Sequence, residues 1–209
     1  MRAGDAPARR GRPPGRGPKV RAAVLAATLG ELADSGYAAL TVENVARRAG
    51  VHKTTVYRRW KDRESLVADA VTELAGTRVP FPDSGDISAD LRALARSLVR
   101  FLASPAGQAV TAVTLSDAVR IPQVAGAQRH RFENRYRQAE PVIRAAIARG
   151  ELPVGTDPAE VVRAVLAPIY LRILVTGEPI SERTADTAAD AGLAAARAGA
   201  LSAPADAAH

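Results

Sequence analysis

Cysteine is absent from the 209 residues, and methionine and tryptophan occur once each. Without cysteine there is no disulfide framework, no thiolate metal site and no thiol nucleophile. A reducing compartment is therefore allowed, though not required. No apolar run reaches the roughly 18 residues of a membrane-crossing helix. The basic N-terminus has no apolar stretch behind it before Val20, which argues against a secretory signal. Histidine occurs only at positions 52, 130 and 209, never at a metal-ligand spacing such as His-x3-His. No GxSxG, phosphate-loop or dinucleotide fingerprint is present. Glu133 and Glu140 can share a helix face, but surface pairing with Arg137 accounts for them, and a solvated face accounts for Arg129-His130-Arg131. The expectation is a soluble cytoplasmic protein with no catalytic residues, no metal and no cofactor.

Charge is what the chain has, and it is uneven. Residues 1–75 hold 14 Lys+Arg against 8 Asp+Glu, whereas residues 76–209 hold 15 against 14. A compact basic region on a near-neutral body suits a polyanionic partner, because neutralised phosphates release counterions. Residues 1–18, MRAGDAPARRGRPPGRGP, are rich in Gly, Pro and Arg. They lack the apolar surface that would offset ordering entropy, so a disordered basic arm is expected.

From Lys19 the pattern becomes helical. Leu25, Leu29 and Leu32 lie on one face of a first helix, with Gly36 as its left-handed stop. Thr41 is placed to cap a second helix, in which Val45 and Ala46 face inward and Arg47 and Arg48 outward. Ala49-Gly50-Val51 is a tight break before a short helix, HKTTVYRRW, and Asp62 caps the next. Residues 79–86 read as a linker. Beyond it, Ile87, Leu91, Leu94, Leu98, Phe101 and Leu102 form one stripe. Pro105 opens a helix toward Val119, and Pro122 opens a long one toward Gly150, with a kink expected at Pro141. Asp157-Pro158 starts an apolar helix carrying Pro168, and a last helix runs from about Glu182 to Ala198. The fold class is all-α. It comprises an N-terminal three-helix helix–turn–helix domain (19–78) and a C-terminal antiparallel bundle (86–199), about nine helices in all, before a flexible tail (200–209).

Two short helices around a glycine break, inside the basic segment, meet the needs of a helix–turn–helix. Its first helix crosses the DNA backbone and its second enters the major groove. Val45, Val51, Val56 and Trp60 lock the pair, leaving His52, Lys53, Thr54, Thr55, Tyr57, Arg58 and Arg59 on or near the open face.

Leu25-x3-Leu29, Gly36-Tyr37, Thr41-Val42, Val45-Ala46-x2-Ala49-Gly50-Val51, Tyr57-x2-Trp60 and Asp62-x3-Leu66 together resemble the DNA-binding domain of TetR-type transcriptional regulators, over roughly residues 20–75. The stretch Pro168–Ile180 is similar to a late helix of several such regulators. The resemblance implies that Thr41 and Tyr57 hold phosphates, and that Lys53, Thr54 and Thr55 meet base edges or flanking phosphates. Arg47 and Arg58 would join them on the DNA face, and Arg63 stands where the family commonly keeps a phosphate-binding lysine. His52 replaces a common serine, which bears on operator preference, and Trp60 replaces a phenylalanine in the core role. Arg10-Gly11-Arg12-Pro13 resembles an AT-hook core, so Arg10 and Arg12 either enter the minor groove or belong to a plain flexible tail.

By the same resemblance the second region dimerises and holds a small-molecule effector of unknown identity. The partner DNA is then a double-stranded operator of two-fold symmetry, the default outcome is repression, and the protein associates with the nucleoid when bound. The last two helices are the expected homodimer interface. The row Val161, Val165, Ile169 and Ile173 either belongs to that interface or is internal core. Pocket candidates are Leu98, Phe101, Leu102, Val113, Leu115, Phe132, Tyr136, Val165, Ile169 and Tyr170. The alternative function is a non-specific architectural DNA binder that uses the arm and the motif together. The long near-neutral second region argues against it.

Overall fold

The computed structural model describes residues 16–77 and 81–202. Among these, nine α-helices, a 3-10 turn and a π-helical turn follow one another, with no strand. The fold is all-α, with the helix–turn–helix domain at the N-terminus and the antiparallel bundle after it.

α1 (Arg16–Ala39) starts inside the segment expected to be a disordered arm. Pro18 is tolerated in its first turn, where its missing N–H has no intrahelical partner to lose. Gly36 interrupts α1 as expected (φ 72°, ψ 175°), but one more turn follows and carries Tyr37 into the core. α2 (Val42–Arg48) is capped by Thr41, whose Oγ1 accepts from the Asn44 N–H at 3.1 Å. Gly50, at φ 67°, makes the reversal into α3 (Lys53–Tyr57), a conformation that a side chain would resist. Asp62 caps α4 (Arg63–Thr77) by accepting from the Ser65 N–H at 2.7 Å, and this bond holds its carboxyl below the usual range.

α5 (Ile87–Ala103) buries all six residues of its expected stripe. Its start is tied down twice. Asp86 accepts from Ser88 and Ala89, and Glu151, from the loop after α7, accepts from the Ile87 N–H at 3.0 Å. α6 (Pro105–Thr114) begins so close to α5 that a Cβ at Gly107 would collide with the backbone of Phe101 and Leu102. It ends short of Val119, because Ser116 caps a separate 3-10 turn, Asp117–Arg120. α7 (Pro122–Ala148) is continuous through Pro141, which lies exposed, where water can take the carbonyl left without a partner. Along α7, Glu140 pairs with Arg144 at 2.8 Å rather than with Arg137. α8 (Pro158–Leu171) passes into the π-helical turn Arg172–Thr176, and α9 (Glu182–Arg197) opens with a Ser181–Thr184 capping box. The expected flexible tail is fixed at its start. The Leu201 carbonyl accepts from the Asp157 N–H at 2.8 Å, and Thr156 bridges Ser202.

Two buried clusters result. In the reader domain, α1–α4, Val24, Leu32, Val45, Val56, Trp60 and Leu66 pack together, joined by Ala109 and Val113 of α6 and Val124 of α7. In the bundle, the α5 stripe meets Ile143 of α7, Val161, Val165 and Ile169 of α8, and Leu193 of α9. Each such side chain contributes about 1.5–3 kcal/mol by leaving water. The row Val161–Val165–Ile169 is therefore internal core, with Ile173 half-buried beside it, and it is not a surface that a second copy can reach.

Candidate nucleic-acid interface and bundle cavity

The short α3 is held by its apolar side, and this determines which side chains stay outside. Val56 is fully buried and Trp60 nearly so. The Trp60 indole Nε1–H donates to Asp69 at 3.0 Å, and Arg21 of α1 bridges the same Asp69 and Glu73, at 2.7 Å each. One network thus ties the end of the recognition helix to α1 and α4. Arg48 does the same for α2, pairing with Asp34 at 2.6 Å and Glu31 at 3.3 Å of α1.

The opposite side of the motif is open. Thr41, Arg47, His52, Lys53, Thr54, Tyr57 and Arg58 are all exposed, and Thr55 is half-buried. Tyr57, 47% exposed, is no core aromatic, and its phenol is free to donate. Thr41 accepts from Asn44, which leaves its O–H available to an oxyanion. Arg47 rests on Asn44 at 3.0 Å, and Lys53 is only 3.9 Å from the exposed Glu43. Such surface contacts are worth little and yield readily to a phosphate. His52 Nδ1 and Thr54 Oγ1 lie 3.0 Å apart, a pairing that spacing did not predict. Arg59 lies over the Trp60 ring at 5.7 Å. Arg63 is the exception among the expected DNA contacts. It stacks on Tyr37 at 4.4 Å, reaches the Leu40 carbonyl at 3.4 Å and sits 3.6 Å from Glu64, so much of its capacity is engaged inside the protein. Arg10 and Arg12 lie outside the described residues.

Residues 24–70 match the sequence profile of bacterial regulatory proteins of the tetR family, and residues 81–192 match the tetracyclin repressor-like C-terminal domain. The chain belongs to the TetR family. It is 34% identical to the HTH-type transcriptional regulator AqdR of Rhodococcus erythropolis, over 79% of this chain and 81% of AqdR. It is 29% identical to the HTH-type regulator YdeS of Bacillus subtilis, over 83% of this chain and 87% of YdeS. Among solved structures, the TetR-family regulator SCO0332 superposes with a TM-score of 0.65 at 31% identity, covering 84% of this chain and 97% of that one. The protein is thus a TetR-family DNA-binding transcriptional regulator, and the open face of α2–α3 is its candidate DNA surface. No helix among the described residues is long and apolar enough to cross a membrane.

The TetR-type bundle also holds a cavity of about 160 Å³. Its wall includes Leu102 of α5, Val110, Thr111 and Thr114 of α6, Gln128, Arg131 and Phe132 of α7, and Tyr170 of α8. Of the pocket candidates read from sequence, Leu102, Phe132 and Tyr170 line it. Leu98, Phe101, Val165 and Ile169 are bundle core, and Val113 packs toward the reader. Leu115 is 61% exposed, and Tyr136 lines a separate open groove beside the α7–α8 loop. Sequence reading missed Arg131, which it placed on a solvated face although it is only 5% exposed, and Arg135, only 6% exposed. The signal was present in the spacing. Both arginines fall on the row of α7 that otherwise carries Val124, Ala127, Ala139, Val142 and Ala146, all buried.

Proposed function

We propose that the protein is a homodimeric repressor that leaves its operator when a small molecule enters the bundle. The observation that carries the DNA half is the bare polar face of α2–α3 over a buried Val45–Val56–Trp60 lock. In this reading Thr41, Arg47, Tyr57 and Arg58 meet phosphates while Lys53, Thr54, Thr55 and His52 approach base edges. Arg63 adds a phosphate contact only by loosening its hold on Tyr37. The first turn of α1 borders the same groove as Thr55, Arg58 and Arg59.

α6 supports the release half. One side of it, Val110, Thr111 and Thr114, faces the cavity, and its other side, Ala109 and Val113, packs into the reader core. A ligand that displaces α6 therefore moves α1 and with it the recognition helix. It shifts the equilibrium only by its differential affinity for the two arrangements. In this reading the dimer forms through the last two helices, and the exposed apolar side chains nearby are Leu171 at the end of α8 and Val175 in the π-helical turn, 53% and 73% exposed. Two recognition helices about 34–36 Å apart would then meet successive major grooves.

Selection of bound DNA fragments followed by footprinting tests this reading. A two-fold symmetric footprint, preferred over random duplex at fixed salt, is expected. Equal affinity for both would favour the architectural alternative. Deleting residues 1–15 should weaken binding and flatten its salt dependence, and an unchanged slope removes the arm from the account.

A further inference from the structure

Five buried side-chain polar atoms among the described residues have no hydrogen-bond partner: Thr111 Oγ1, Gln128 Oε1, Arg131 Nε, Arg135 Nη1 and Tyr170 Oη. Four of those residues line the bundle cavity. The fifth, Arg135, stands one turn along α7, within electrostatic reach of both Arg131 and Tyr170. Buried polar groups are almost always paired, and buried charges more strictly so. Yet neither guanidinium forms an ion pair among the described residues, and Arg131 lies over the face of Phe132, at 4.8 Å. Burial pushes the Arg135 pKa down, and the neighbouring Arg131 charge adds to this. An arginine does not give up its proton under ordinary conditions, so the stress persists as uncompensated positive charge.

We propose that the cavity binds a small organic carboxylate, with the anion on Arg131 and within the field of Arg135, and the hydrocarbon part among Leu102, Val110, Val119 and Leu174. The Tyr170 and Thr111 hydroxyls are placed to donate to the same anion. A guanidinium offers parallel N–H donors that match a planar carboxylate. The volume of about 160 Å³ limits the rest of the molecule, since an engineered cavity of about 150 Å³ in another protein accepts one benzene. One ring or a short chain matches that space. This deepens the effector reading above and rests on it for the biological consequence, although binding is measured on free protein.

The test is titration calorimetry of the full chain with benzoate, phenylacetate and hexanoate, each beside its primary amide, and with phenyl phosphate. At least one acid should bind about tenfold or more tighter than its amide, since charge-assisted bonds exceed neutral ones. Arg131→Met should reduce that affinity about a hundredfold while leaving the ligand-free melting temperature unchanged or raised, because it removes a buried unpaired charge. A merely structural arginine would give the reverse, with a lower melting temperature and unchanged acid binding, and that result overturns the proposal. So does equal binding of acids and amides, tighter binding of phenyl phosphate, or no acid binding at about 10 mM, where even a millimolar ligand would register. Acid binding with unchanged operator affinity leaves the proposal standing and removes the effector reading instead.

Discussion

The DNA-facing arginines of the reader and the two buried arginines of α7 obey opposite rules. Arg47 and Arg58 lie in water, and Arg48 and Arg21 are matched to carboxylates of the same domain. Nothing in the reader is stressed by leaving its DNA-facing cations alone, because water solvates them until a phosphate arrives. Arg131 and Arg135 are buried with no carboxylate at hand, and there an unpaired charge costs stability at every moment it lacks a partner. A surface cation thus records a possible encounter. A buried, unmatched one is the premise of the carboxylate proposal.

The two regions also share structure, since α6 and the start of α7 complete the reader core. Substitutions can therefore separate them or show that they act as one. The largest effect is expected from Trp60→Ala, which empties a site that is 95% buried and breaks the bond to Asp69. A loss of about 3–5 kcal/mol is expected. Limited proteolysis should cut within residues 16–60 while residues 87–197 stay protected, and simultaneous cutting throughout would show a single cooperative unit. Next is Gly107→Val, in which the new Cβ collides with the backbone of Phe101. It should cost about 1–3 kcal/mol in urea unfolding and disturb the bundle before the reader.

A smaller change is expected from Lys53→Ala, whose side chain is exposed and only loosely near Glu43. Operator affinity should fall about tenfold with unchanged melting, and the preference for operator over random duplex should narrow, because Lys53 is placed at a base edge. The smallest concerns the surface pair of Arg96 and Asp186, joined by bonds of 2.6 and 2.7 Å between α5 and α9. The hydrogen bonds from Arg96 lower the Asp186 pKa in the folded state. Its contribution is then present above the ordinary aspartate pKa and is lost as pH falls through the lowered folded value. In pH-dependent urea melts, Asp186→Asn should be slightly less stable than wild type near neutrality, and the two curves should converge at acid pH.

Much of the architecture was legible because the chain marks its helix starts chemically. Thr41, Asp62 and Asp157, read as helix starts, all cap through their side chains, as do Asp86 and Ser104, which were not read that way, and the α5 stripe has no competing interpretation. The open face of α3 was equally legible, since burying Val56 and Trp60 fixes the direction of every residue between them. Other features depend on tertiary partners that a local pattern does not carry. The row Val161–Val165–Ile169 suits an interface or a core equally well, and only the packing of α5 and α9 against it decides. Leu201 reads as tail until its carbonyl meets Asp157. Arg131 and Arg135 were hidden for a different reason. Residue type outweighed periodicity, and arginine was assigned to water although its register pointed inward.

The central claim is that the bare side of α2–α3 is what touches DNA. The most direct measurement is the affinity of a selected operator duplex, at one salt concentration, for wild type and for a triple variant with Lys53, Tyr57 and Arg58 replaced by alanine. A loss of about a thousandfold or more, with circular dichroism and melting temperature unchanged, is the expected result. Affinities that agree within about twofold would place the DNA contact elsewhere and contradict the account.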